Sequence, residues 1–481
     1  MSPWLFRGLL IALVMASTGC AVNPVTGRQD FVMMSEAQEL ALGRQASGQV
    51  ESQMPLVADE ALQQYVQSVG DQLAMHSHRS RLDYRFRVVD SPEINAFALP
   101  GGYVYLNRGL LAYLNSEAEM AAVLGHEIGH VTARHGVRQQ SMAMGAGLLA
   151  EVATIGTGMR AVGDLGNMLG TAMVRGYGRE MELEADGLGA EYLARAGYRP
   201  DAVLKVIGVL KDQDSYTRQR ADAEGRPVPD GYHGLFATHP THDQRLQQVV
   251  SRAEGLTTGD RQRTGRDEYL KMIDGLIFGD SPEQGIVRDN RFYHAGLDMV
   301  IEFPAGWVVV NRPDLLLAHT RDEQGFIGLT VERLQAERNP QALLRQRVGG
   351  RRLVQEERLQ GAGFEGWTAI IPGDQARRVA ALVKGDQVFL FVAGVRGRAP
   401  LEQHDADFRR VIQGFRGMTK ADAELASPLR VRLQRARAGD TYASLASQSP
   451  LGEQAEARLR LLNGQWPAGE PSPGDWIKVV R

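Results

Sequence analysis

The sequence predicts a multidomain protein: a mainly α-helical first domain with a small β-sheet, then an α+β domain, then a small third unit. Three observations predict this. The chain has 481 residues, more than one ordinary domain holds. Helical apolar spacing dominates as far as about residue 255, and strand-like alternation takes over from about residue 291. The remaining stretch, residues 430–481, carries turn-rich signals of its own. With 43% hydrophobic and 23% charged residues, a normal core is available and wholesale disorder is not indicated. The formal net charge of -3 gives no electrostatic footprint for nucleic acid. The basic run Arg345 to Arg352 reads as a solvated face.

The chain opens with a charged start, Met1 to Arg7, and an apolar run, Gly8 to Ala16, too short to span a bilayer. Ser17-Thr18-Gly19-Cys20 follows. This arrangement reads as a signal peptide over residues 1–20. Small residues before Cys20 resemble a bacterial lipobox, although Ser17 stands where that motif prefers Leu. The resemblance implies that Cys20 is acylated. Ala21 in place of Asp after it implies, by resemblance to enterobacterial sorting rules, an outer-membrane destination facing the periplasm. Cys20 is the only cysteine, so no intramolecular disulfide can support the fold.

The first domain is expected over residues 21–255. Asn23 to Gln53 reads as a polar lead-in segment. Leu62, Tyr65, Val66, Val69 and Leu73 have helical spacing, which predicts a helix from Ala58 to Ala74. Tyr84 to Val89 alternates as a strand, and Asn95 to Tyr105 reads as two strands joined at Pro100-Gly101-Gly102. Ser116 with Glu119 three residues on marks a helix start with a capping box. Ser141 to Val174 is rich in Ala, Gly and Met, and Glu151, Arg160 and Asp164 break it into pieces too short to cross a membrane. It is expected to be mobile, covering the active site as a lid or contacting the membrane, or else to form a helical hairpin of the core. Helices resume at Gly178 to Ala196 and Pro200 to Asp212. Residues 256–290 read as a linker with one short helix, and residues 291–418 as the α+β domain, with strands such as Phe326 to Val331 and a closing helix from Glu402 to Phe415.

The segment that carries chemistry is Ala121 to His135. His126-Glu127-Ile128-Gly129-His130 is H-E-x-x-H inside a helical pattern. Histidines four apart stand about 40° apart around a helix, one turn above the other, so both imidazoles can reach one Zn²⁺. Glu127 beside them is placed to take a proton from water and not to ligate. A catalytic zinc needs a third protein ligand and one open position. Glu182, Glu184 and Asp186 on the later helix are the candidates. Glu182 and Asp186 share a face, whereas Glu184 points about 200° away from Glu182. That favours Glu182 as ligand with Asp186 orienting a histidine, but spacing alone leaves all three open. His135, five residues past His130, falls off the metal face and reads as structural or exposed.

HEIGH together with E-x-E-A-D resembles the HtpX-like and CAAX prenyl protease-like zinc peptidases, family 48 of the metallopeptidases. That family's pattern around its third ligand is Y-S-R-x-x-E-x-E-A-D. Here Tyr177 to Asp186 reads YGREMELEAD, departing only at Gly178. The resemblance implies a gluzincin-type zincin fold, one zinc per chain and Glu182 as the third ligand. It also implies that Asn95, Ala96 and Phe97 lie on the strand beside which substrate docks. Thr238-His239-Pro240 matches a further family pattern near the cleft. There His239 would stabilise the oxyanion or take the fourth zinc position, or else serve only the turn before Pro240. The expected activity is hydrolysis of peptide bonds in misfolded or unassembled envelope proteins, with the membrane contacted through the lipid anchor. Arg437 to Thr441, Leu462-Asn463-Gly464 and Pro473 to Lys478 resemble a LysM module, which implies peptidoglycan contact.

Overall fold

The computed structural model describes residues 20–142, 177–223, 255, 262–312, 315–334, 338–361, 363–397 and 399–481. These form two compact units. The first contains the chain as far as Ala223, the described residues up to Leu276, and Arg430–Arg481; the second runs from Ile277 to Leu429. Among the described residues no helix is long and apolar enough to cross a membrane.

The first unit begins with a two-stranded antiparallel ribbon, β1 (Cys20–Val22) and β2 (Gln29–Phe31). Helix α1, Glu36–Gln53, follows behind a capping box between Ser35 and Gln38. It occupies much of the predicted polar lead-in. Its buried positions are Glu39, Gly43, Ala46 and Ser47, so its inward face carries no apolar periodicity to read. Gly43 is required there, because a Cβ would stand 2.0 Å from the Pro100 carbonyl oxygen. Helix α2, Glu60–Ala74, is capped by Asp59 and buries Leu62, Val66, Val69 and Leu73.

Strands β3 (Arg85–Val89), β4 (Ala96–Leu99) and β5 (Tyr103–Asn107) form a sheet in the order β3-β5-β4. β5 is parallel to β3 and antiparallel to β4. β5 is buried throughout, which leaves β4 as an edge strand. Gly101 and Gly102 turn the chain between β4 and β5 with φ of +81° and +98°. Helix α3, Arg108–Tyr113, leads through Asn115 into helix α4, Glu117–Thr132. The start of α4 is held by Glu117, which is fully buried and accepts from Tyr65 Oη at 2.7 Å, Tyr198 Oη at 2.6 Å and Arg263 Nη2 at 2.9 Å. A carboxylate in the first turn also suits the helix dipole. Helices α5 (Arg179–Arg195), α6 (Ala202–Ala223) and α7 (Arg266–Met272) complete this part.

The second unit is built on a seven-stranded antiparallel sheet. Its strands lie in the order 308–311, 316–319, 325–333, 387–395, 377–384, 364–371 and 354–361. Alternate residues of 377–384 serve two cores. Ala380 and Leu382 pack with Phe408, Val411 and Ile412 of the helix Glu402–Gln413, and Val379 and Ala381 pack with Leu343 and Leu344 of the helix Pro340–Arg347. The sequence pattern identifies five of this unit's strands. It passes over Ile286–Arg288, Arg291–His294, Leu316–His319, Phe364–Ile371 and Val354–Gly361, the last a polar edge strand with one buried residue.

The chain then returns to the first unit. Leu429–Arg435 pairs antiparallel with Trp476–Val480, and the helices Tyr442–Ala446 and Ala455–Leu462 lie between them in sequence. The sequence sets this stretch apart as a third unit, yet in the structure Arg430–Arg481 completes the first. Lys478 shows why: its side chain is fully buried, and Nζ donates to the carbonyls of Ala112 and Leu114, each at 2.7 Å. These are carbonyls at the end of α3, which no helical amide satisfies. Burial pushes the Lys478 ammonium well below the ordinary lysine range.

Replacing Lys478 with Met should lower the unfolding free energy by about 2–4 kcal/mol, because two buried carbonyls lose their donor. Denaturant unfolding followed by far-UV circular dichroism checks this. A stability equal to wild type would show that Lys478 is not the brace described here.

Candidate metal centre

Two helices bring the centre together. His126 and His130 lie one turn apart on α4, with their Nε2 atoms 2.9 Å from each other. Glu182 on α5 directs Oε2 to 3.4 Å from His126 Nε2 and Oε1 to 3.5 Å from His130 Nε2. Glu182 is fully buried and His130 nearly so. These are the three metal-binding side chains that the described residues gather in one place. Ligand atoms around a tetrahedral ion at roughly 2.0–2.1 Å stand about 3.3 Å apart, so the spacing and the donor chemistry both fit such an ion.

The approach of the two helices depends on glycine. A Cβ on Gly129 would lie 2.8 Å from the Ala185 carbonyl oxygen, and one on Gly189 would lie 2.9 Å from the His126 amide nitrogen. Gly125 meets Gly189 Cα and Leu193 in the same seam. Backbone therefore packs on backbone, and Glu182 sits close enough to reach both histidines. The seam is marked mainly by glycines and not by an apolar stripe, and H-E-x-x-H reading passes over it.

Each histidine is held from behind. Asp186 Oδ1 lies 2.8 Å from His126 Nδ1. Burial opposes charge on His126, but the Asp186 and Glu182 carboxylates prevail and hold its pKa well above the ordinary imidazole value. His130 Nδ1 lies 2.8 Å from Nδ1 of His135, and His135 Nε2 lies 3.1 Å from Glu184 Oε2. Arg138 Nη1 donates to the same Glu184 oxygen at 3.1 Å. His135 is thus fully buried against His130, although helical extrapolation puts it off the metal face. The reason is local. Helix α4 ends at Thr132, and Arg134 takes a left-handed φ of +57°, which swings His135 back toward the histidine five residues earlier. Burial pushes the His135 pKa down, and hydrogen bonding to His135 and Arg138 overcomes burial to hold Glu184 below the usual carboxylate range.

Glu127 is fully buried. The Tyr177 ring stacks on His130 at 4.1 Å and 20°, and burial, then Glu127 and Glu182, raise the pKa of its hydroxyl. Beside the cluster is a cleft bounded by Ala98, Leu99 and Pro100 on one side and by His130, Val137 and Tyr177 on the other. The edge strand β4 thus borders the site. Ala96 is buried, Phe97 stacks on Tyr105 at 5.1 Å, and the Asn95 carbonyl accepts from the Asn107 amide at 2.9 Å. His239, the leader before Cys20 and the Ala- and Gly-rich stretch from residue 143 to residue 176 lie outside the described residues, and of Cys20 only the backbone is described.

Adding one methyl group at the seam should open the cluster. Gly129→Ala is expected to weaken metal binding at least about tenfold, as loss of ligand support does elsewhere. Competition with a chromophoric chelator measures it. Unchanged affinity would mean that the seam does not set the position of Glu182.

The sequence pattern of peptidase family M48 matches residues 60–253. A beta-barrel assembly-enhancing protease of Escherichia coli (strain K12) is 34% identical over 245 residues, covering 48% of this chain and 47% of that protein. The protein of the same name from Yersinia pestis is 31% identical over 242 residues, with 48% and 47% covered. The mitochondrial metalloendopeptidase OMA1 of Arabidopsis thaliana is 34% identical over 197 residues, with 40% of this chain and 37% of that one covered. The matches to the beta-barrel assembly-enhancing proteases span about half the length of those relatives. The matched stretch contains H-E-x-x-H and the helix bearing Glu182, so residues 60–253 are similar to a family M48 peptidase domain and include three side chains placed to hold a metal ion.

Proposed function

We propose that the protein is a zinc-dependent metalloendopeptidase of the bacterial cell envelope that cleaves misfolded or unassembled envelope proteins. The observation that carries the reading is the meeting of His126, His130 and Glu182 around one point, with Glu127 buried on the same helix as the two histidines. His126, His130 and Glu182 are the proposed ligands of one Zn²⁺ per chain. When bound there, zinc would supply Lewis acidity toward water and the scissile carbonyl. Glu127 takes the proton of the attacking water and delivers it to the leaving amine. Asp186 holds the His126 ring at Nδ1 so that Nε2 faces inward. An extended peptide adds to the edge strand β4 at Asn95, Ala96 and Phe97, which aligns its backbone with the cleft. His239 is assigned to the cleft as oxyanion stabiliser or resting fourth ligand, on the family pattern alone.

The envelope setting rests on the leader, on Cys20 and on the names of the bacterial relatives. In it the protein is anchored to the outer membrane by acylation at Cys20 and faces the periplasm. A peptidoglycan-associated peptidase is the second reading, supported by the βααβ order of the C-terminal stretch. The burial of Lys478 against α3 favours packing as the main duty of that stretch.

Glu127→Gln should retain zinc and lose about 10²–10⁴-fold in cleavage of an unfolded β-barrel protein. Metal analysis and a gel-based cleavage assay read both quantities, and an active Gln variant would sink the mechanism. Glu182→Ala should weaken zinc binding far more than Glu184→Ala, and the reverse order would reassign the third ligand.

Cys20→Ser should abolish acylation and move the protein to the soluble periplasmic fraction. Fractionation after metabolic labelling with a fatty acid tests this, and unchanged membrane association would refute the anchor.

A further inference from the structure

We propose that Glu184 and His135 form a two-step relay that dictates which nitrogen of His130 faces the metal. The proposal rests on His126, His130 and Glu182 being the ligand set. It concerns what makes one of those ligands competent. An imidazole ligates through a bare lone pair, so His130 is useful only as the tautomer with its proton on Nδ1 and a free lone pair on Nε2. Nothing within the ring enforces that choice.

The 2.8 Å contact between His130 Nδ1 and His135 Nδ1 requires one nitrogen to donate and the other to accept. Taken alone, the pair could run either way. The far end of the chain removes the ambiguity. An ionised Glu184 carboxylate only accepts, and its Oε2 faces His135 Nε2 at 3.1 Å, so His135 must carry its proton on Nε2. A neutral His135 then presents a lone pair at Nδ1. His130 answers with Nδ1–H, and its Nε2 lone pair is left pointing at His126 Nε2 and Glu182. Arg138, donating to the same Glu184 oxygen, holds that carboxylate in its accepting form.

The two histidines are therefore oriented by different means. His126 meets its carboxylate directly, through Asp186. His130 meets one through an interposed ring. The Asp186 side chain is 4% exposed and the Glu184 side chain 24%, so the longer relay delivers carboxylate polarity to a buried ligand while its anion stays near water. This spares the site the cost of another fully buried anion beside Glu127 and Glu182. His135 and Glu184 are positioning residues on this account, since neither touches the reacting atoms.

The test uses the full chain with zinc removed. Zinc affinity is measured by chelator competition, and the unfolding temperature of the metal-free protein is recorded alongside. Glu184→Gln should weaken zinc binding about tenfold, and His135→Phe by about 10–100-fold, the range for partners that orient metal ligands. His135→Gln, whose side-chain oxygen can accept from His130 Nδ1–H, should recover most of the loss seen with Phe. Unfolding temperatures of the metal-free variants should stay close to wild type. A folded His135→Phe variant that binds zinc as tightly as wild type overturns the relay. So does a His135→Gln variant no better than Phe. If both His135 variants fail to fold, Glu184→Gln decides, because it changes a partly exposed side chain; unchanged affinity there overturns the relay. Wild-type protein that takes up no zinc refutes the ligand assignment itself, a result distinct from failure of the relay.

Discussion

The candidate metal centre depends on two helices that approach closely through glycines. Gly125 and Gly129 on α4 and Gly189 on α5 let one backbone lie against the other, with an added Cβ meeting its neighbour at 2.8–2.9 Å at each of the three. Ordinary helix pairs stand 8–10 Å apart, as their interdigitating side chains dictate. Here Glu182 comes within 3.5 Å of both. The glycines lower the intrinsic stability of their helices by about 1 kcal/mol each, a cost offset by the packing of the seam.

A second constraint holds the turn that follows. Arg134 adopts the left-handed conformation that non-glycine residues avoid, and its side chain explains how it stays there. Nε donates to Glu39 Oε2 at 2.8 Å, and Arg79 Nη1 donates to Glu39 Oε1 at 2.7 Å. All three groups are buried, and Glu36, which also pairs with Arg79 at 2.9 Å, supplies the second carboxylate that balances the two guanidiniums. Glu39 belongs to α1. The N-terminal helix thereby secures the backbone that presents His135, although it lies nearly a hundred residues away in sequence.

This explains which parts of the molecule were legible in the sequence. H-E-x-x-H is legible because its chemistry is written in residue types at one helical spacing. The helix start at Ser116 is legible too, with one difference: the Ser116 hydroxyl accepts from the Glu119 amide, whereas the Glu119 carboxylate takes the Asn115 amide at 2.6 Å. Strands β4 and β5 and the turn between them follow from Pro100-Gly101-Gly102, whereas the edge position of β4 follows only from the sheet order. By contrast, α1 hides because its inner face is small and polar, and His135 hides because a helical wheel stops being valid after Thr132. The placement of the C-terminal stretch hides for another reason. It depends on one lysine reaching two carbonyls 364 and 366 residues away, and no local pattern encodes a contact of that range.

That last contact carries a consequence for the order of events during synthesis. Unit one is assembled from both ends of the polypeptide, with some 150 residues of another unit between them in sequence. The carbonyls of Ala112 and Leu114, just ahead of the cap of α4, stay without their lysine partner until the strand Trp476–Val480 has been made and has docked. Closing so long a loop is slow, because distant contacts repay their entropy late. The first unit therefore lacks part of its packing until the chain behind it is finished. Until then the end of α3, which leads into the helix bearing His126 and His130, is without one of its anchors.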